Sequence, residues 1–222
     1  MLDILASVVD YLSALPWLEL VAMLLALAYA ILAAQGSLWC WPAAFISTAL
    51  YTVIFYDVLL LMDSALNAYY LIMAVYGYWA WHKNTSTVAI QNQPIKNSTL
   101  AIISWSGNQH LKICLVLTII SLTLGYVIAN YTPASFPYLD TFTTVFAVFA
   151  TYLVTQKVLE NWLYWVVIDA ISIYLYIEKD LIPTTVLFII YVAIALYGYF
   201  KWLAIYRRSK AEQMNLTTIV TG

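Results

Sequence analysis

The stretch VYGYWAW, residues 75–81, returns 121 residues further on as LYGYFKW, residues 196–202. Working outward at that constant offset, Tyr70 meets Tyr191, Trp41 meets Trp162 and Gln35 meets Gln156, while Glu19 meets Asp140 and Asp57 meets Glu178. Coincidences of common apolar residues would mean little. Coincidences of glutamine, acid and Tyr-Gly-Tyr, without gaps, predict two copies of one structural unit.

Composition says what kind of unit. The 222 residues are 64% hydrophobic and 9% charged, with a mean hydropathy of +0.86. A soluble domain carries roughly 25% charged residues, so the chain reads as an all-α, polytopic membrane protein. Its net charge of −2 gives nucleic acid no footing; membrane lipids are its surroundings. Cys40 and Cys114 lie in apolar segments and form no metal or redox pattern, so both read as packing. His82 and His110 fall in one polar segment, leaving the apolar segments without histidine. No enzyme, cofactor or metal is expected.

A helical span needs about 17–25 mainly apolar residues. Seven segments fit: 17–35, 38–56, 58–81, 113–129, 138–155, 161–177 and 181–203. The order is a short helix lying at the interface (1–16), a first three-helix bundle (17–81) and a flexible polar linker (82–112). A connecting helix (113–129), a second bundle (138–203) and a tail (204–222) follow. A single helix between the copies makes them run the same way, a 3+1+3 parallel repeat. Transporters of this design hold substrate between the repeats near mid-membrane.

Seven spans place the termini on opposite sides. Lys83, Lys96, Lys112, Lys157, Lys201, Arg207, Arg208 and Lys210 fall with the C-terminus, and Lys179 alone falls with the N-terminus. The positive-inside rule therefore puts the C-terminus in the cytoplasm and the N-terminus outside.

The sixth span contains ENWLYWVVIDAIS, residues 160–172, a carboxylate among tryptophans. At helical spacing Trp162, Trp165, Asp169, Ser172 and Tyr176 share one stripe about 80° wide. A charge within a span costs about 2.5–3.5 kcal/mol and faces a cavity or the bundle interior. Aromatic faces beside a carboxylate suit a flat organic cation. The bland alternatives are a structural acid or a proton-coupling group. At the repeat offset Trp162 pairs with Trp41, a shared and potentially scaffolding position, whereas Trp165 and Asp169 face Ala44 and Thr48. The groups that set a ligand's pose belong where the halves differ.

On the third span Ser64, Asn67, Tyr70, Gly77 and Trp81 share a face. Asn67 suits either a ligand contact or an interhelical hydrogen bond. Gln35 and Gln156 close their spans near the inner surface, as gates or simply as solvated ends.

WCWPAAFIS, LNAYYLIMAVYGYWAW, NWLYWVVIDAISIYLYIEKDL and LYGYFKW together resemble the PnuC-type vitamin transporters, over roughly residues 17–203. The resemblance implies a seven-helix, SWEET-like fold and a homotrimer in the bacterial inner membrane. It implies facilitated diffusion of a vitamin, trapped afterwards by a cytoplasmic kinase. Residue by residue it assigns substrate contacts to Trp162, Trp165, Asp169 and Asn67, with Tyr70 three residues on; Ser172 and Tyr176 of the stripe and Trp41 of the repeat complete the expected contacts. Where the family commonly has glutamine, this chain has Asn67. A shortened amide opposite a carboxyl favours thiamine, with nicotinamide riboside as the alternative. Riboflavin, proton-coupled uptake and a channel-like or structural bundle are remoter readings.

Overall fold

The structure, a computed structural model, describes residues 9–10, 16–57, 61–85 and 101–221. Among them run seven long helices: α1 Trp17–Ala34, α2 Cys40–Asp57, α3 Leu61–Thr85, α4 Gly107–Tyr131, α5 Pro137–Thr155, α6 Asn161–Glu178 and α7 Ile182–Thr221. The interfacial helix expected at 1–16 lies, but for residues 9, 10 and 16, outside the described residues. So do residues 86–100 of the linker.

Local chemistry sets the helix ends. α1 starts behind Pro16, and α5 has Pro137 in its first turn with Asp140 near its positive end. α1 and α5 close in the same way. Gly36 (φ 72°) donates to Ala33 O and Ser37 N to Leu32 O; Lys157 (φ 51°) donates to Val154 O and Val158 N to Leu153 O. Each is a left-handed cap that satisfies the last carbonyls. The two caps stand 121 residues apart, so the repeat extends to backbone hydrogen bonds.

Two expected boundaries are corrected. The linker ends before residue 107 because a capping box starts α4 there: Ser106 Oγ accepts from Gln109 N, and Gln109 Oε1 accepts from Ser106 N at 2.9 Å. Just upstream, the segment is pinned rather than flexible. Ile103 N donates to Lys157 O at 3.1 Å, and Leu159 N to Ile103 O at 2.8 Å. The tail beyond 203 is likewise helical, because residues 204–221 contain neither glycine nor proline to stop α7.

Helix contacts recur at the offset. α1 packs on α2 and α2 on α3; α5 packs on α6 and α6 on α7; α1 meets α7, α3 meets α5, and α4 lies against α5. Small side chains fill these contacts, with Ala22, Ala33, Ala34, Ala74, Ala150 and Ala195 all buried. Large apolar side chains such as Ile72, Leu115, Ile119 and Phe200 point outward. That inversion suits a lipid surround, where close backbone approach rather than water exclusion drives packing. By length and composition α1, α4, α5 and residues Ile182–Glu212 of α7 can each cross a membrane. α2, α3 and α6 carry more polar residues, several of them turned inward, including Ser47, Ser64, Asn161 and Asp169.

Candidate substrate site

The α6 stripe faces the interior. Trp162, Asp169 and Ser172 are buried and Trp165 and Tyr176 half-buried, while Leu163, Val167 and Tyr174 on the other side are exposed. Within the stripe, however, the structure separates two groups.

The first is a block of four tryptophans. Trp41 and Trp81 meet edge to face at 5.2 Å and 86°, Trp162 and Trp202 at 5.4 Å and 88°, and Trp81 and Trp202 join the pairs at 6.2 Å. Every member has its counterpart at the 121-residue offset. The blocks close on glycine: a Cβ on Gly77 would stand 2.3 Å from the Trp41 ring, and one on Gly198 would stand 2.7 Å from Trp162. Trp41 and Trp162, expected among the substrate contacts, lie buried in the core against these glycines. Their rings are spent on the glycine faces of α3 and α7. Tyr-Gly-Tyr in both copies is the notch that admits a tryptophan.

The second group surrounds Asp169. Its side chain is 5% exposed and makes no hydrogen bond or ion pair among the described residues. Tyr70 of α3 and Tyr191 of α7, partners across the repeat, lie close enough to exchange charge effects with it. Tyr29 neighbours Tyr70, and Tyr51 neighbours Tyr191. Trp165 packs against both the tryptophan core and the Phe146–Ile168 cluster. A buried carboxyl with no bonded partner among the described residues, and with two phenols in electrostatic range, is an arrangement that waits for a partner. Tyr191, Tyr29 and Tyr51 were not anticipated as site residues. The match of Tyr191 to Tyr70 was the signal available for one of them.

Other expected residues lie elsewhere or are occupied. Asn67 Nδ2 donates to the carbonyl of Asp63 at 2.9 Å, within its own helix, so one of its two amide hydrogens is committed. Tyr176 meets Phe188 at 5.0 Å with the rings tilted by 41°, and lies in electrostatic range of Asp63 and Asp140. Ser172 is buried on the Asp169 face. Gln35 is an exposed helix end, whereas Gln156 crosses between the copies, its Nε2 donating to Tyr76 OH at 3.0 Å.

Two polar assemblies lie away from Asp169. His110 Nδ1 lies 2.9 Å from Tyr164 OH, and Nε2 lies 3.5 Å from a Glu160 carboxylate that also accepts from Ser104 and from Trp105 N. His110 is thus in the first turn of α4, where it helps fasten the end of the linker to α6. Lys157, 4% exposed, lays its ammonium 4.1 Å from the centre of the Trp81 ring. Burial pushes that ammonium down to about 8, with Cys40 beside it acting in the opposite sense.

Comparison with known proteins assigns the fold a family. The nicotinamide mononucleotide transporter family matches residues 16–204. The nicotinamide riboside transporter PnuC of Escherichia coli (strain K12) is 26% identical, with 85% of this chain and 86% of that one covered. The riboflavin/roseoflavin transporter RibM of Streptomyces davaonensis is 23% identical over 84% of each chain. A crystal structure of the vitamin B3 transporter PnuC superposes with a TM-score of 0.71 at 19% identity, covering 93% of this chain and 90% of that one. With 189 consecutive residues matched, the chain belongs to the nicotinamide mononucleotide transporter family.

Proposed function

We propose that this protein takes up nicotinamide riboside across the bacterial inner membrane by facilitated diffusion. The observation that carries the reading is the buried carboxyl of Asp169, which bonds no partner among the described residues and has Tyr70 and Tyr191 in electrostatic range. A pyridinium ribosyl cation matches it: the ring can lie on aromatic faces while the carboxylate supplies counter-charge or accepts from a ribose hydroxyl. Relatives named for nicotinamide riboside support the same choice. The preference for thiamine is withdrawn. It rested on Asp169 together with the shortened amide of Asn67, which donates within its own helix to Asp63, and the relatives described above are named for nicotinamide riboside and riboflavin. RibM gives riboflavin a second place.

In this reading all seven helices cross the bilayer as two like-oriented bundles of three joined by α4, in the SWEET-like manner. The recurrence of caps and tryptophan–glycine pairs at one offset supports that arrangement. The bundles rock about Asp169, one pathway per protomer of a homotrimer. A cytoplasmic kinase makes uptake one-way.

The test is uptake by proteoliposomes. Labelled nicotinamide riboside should enter saturably and equilibrate without sodium or a pH gradient. Riboflavin and thiamine should compete weakly. Accumulation above the outside concentration would exclude a uniporter, and uptake blocked best by riboflavin would move the substrate to the second reading.

Orientation gives a separate expected result. Eight of the nine Lys and Arg fall on the C-terminal side of the proposed topology, so a reporter fused after Gly222 should be active only as a cytoplasmic fusion. Activity of a periplasm-dependent reporter there would overturn the topology.

A further inference from the structure

The two copies differ sharply at one place in their caps. Gly36 is followed in space by nothing: a Cβ added there would meet no atom within 4 Å. Its counterpart is Lys157, which has the same left-handed backbone that favours glycine. A cation is also disfavoured in a buried place. The side chain is thus kept against both backbone and solvation preferences.

Its reach explains what it does there. From the α5–α6 turn it crosses to α3 of the other copy and covers Trp81. The same turn takes the Trp81 indole N–H on two carbonyls, Val154 O at 3.3 Å and Thr155 O at 3.1 Å. Trp81 is therefore clamped by one ammonium and two carbonyls. Trp202, its counterpart, has a buried indole N–H with no partner among the described residues, and the position equivalent to Lys157 in the other copy is Gly36, which has no side chain to reach across. The Trp81 half of the join is latched, and its counterpart lacks the cation.

We propose that Lys157 is the gate residue at the cytoplasmic end: a tethered cation held on Trp81 that must lift before a cationic substrate can pass. This rests on the transport reading above for the identity of the cargo, but the latch itself does not. Opening moves the α5–α6 turn off α3 and frees the Trp81 face. Like charge on gate and cargo then couples departure of one to arrival of the other, and a neutral cargo would lack that repulsion.

Cys40 lies in electrostatic range of the Lys157 ammonium and is fully buried, so its exposure reports the latch. The experiment is timed labelling of Cys40 in the full-length protein, in everted vesicles, by a membrane-impermeant methanethiosulfonate. Peptide mass spectrometry separates Cys40 from Cys114. Lys157→Met keeps the stem and removes the charge; Lys157→Gly installs the residue of the other copy. Losing a desolvated cation–π contact should raise Cys40 labelling roughly three- to thirtyfold in both variants, with Cys114 labelling and the melting temperature little changed. Unchanged Cys40 labelling in folded variants would overturn the gate. Equal rises at Cys40 and Cys114 would overturn it too, by revealing general loosening. Faster Cys40 labelling in a protein that moves no nicotinamide riboside would uphold the latch and sink the substrate assignment instead.

Discussion

Gly77→Ala should cost this protein most of its folded yield. The added Cβ would sit 2.3–2.5 Å from three carbons of the Trp41 ring, far inside contact distance. Neither side can yield easily. Trp41 is 2% exposed and is held edge to face against Trp81, and the offending atom is fixed to the backbone of α3. Overpacking a filled core costs about 1–3 kcal/mol when side chains can shift. Here α3 itself must withdraw from α2, so the loss should reach or exceed the upper end. Gly198→Ala, with 2.7 Å to Trp162, should behave alike but more mildly. Gly107→Ala is the control: it has open space, and it should be neutral. Pairing Gly77→Ala with Trp41→Leu should recover much of the loss, since the clash needs both groups. Fluorescence-detected size exclusion after a heating series measures all of these. A Gly77→Ala protein that melts like the parent would mean that Trp41 does not pack on α3 as described.

The tryptophan–glycine notch shows how far sequence alone could reach. The offset of 121 residues, the hydropathy and the aromatic-acid stripe were all legible, because periodicity and composition are one-dimensional properties. A helical stripe gives direction but not what lies opposite. Trp162 and Asp169 share a face of α6, yet one packs on Gly198 and the other bonds no described residue. The signal was present: both copies pair a tryptophan near the start of the second helix with a glycine near the end of the third. In sequence Lys157 reads only as a cytoplasmic charge. Its match to Gly36 marked it as a lysine in a glycine's conformation, but where its ammonium would land depends on how the copies dock. The helix ends at 107 and 221 escape a hydropathy reading because hydropathy follows the bilayer, whereas a helix continues until its hydrogen bonding is capped.

Asp169→Asn should weaken binding of nicotinamide riboside by roughly ten- to a hundredfold while leaving the fold intact. The substitution keeps the shape and removes the counter-charge. Hydrogen bonds to charged groups contribute about 1.5–3 kcal/mol, and each 1.4 kcal/mol is tenfold in affinity. Stability should hold or rise, because no described residue bonds Asp169 and the burial cost of an acid disappears. Trp165→Ala should also weaken binding, by removing stacking surface, whereas Trp162→Ala should act mainly on stability through its pair with Trp202 and Gly198. The contrast separates site from scaffold. Calorimetric titration of purified variants with nicotinamide riboside and with riboflavin measures it, and a neutral flavin should lose less than the cation on Asp169→Asn. If the variant binds the cation as tightly as the parent, Asp169 holds no counter-charge role. Recognition would then fall to Trp165 and the tyrosines of α3 and α7.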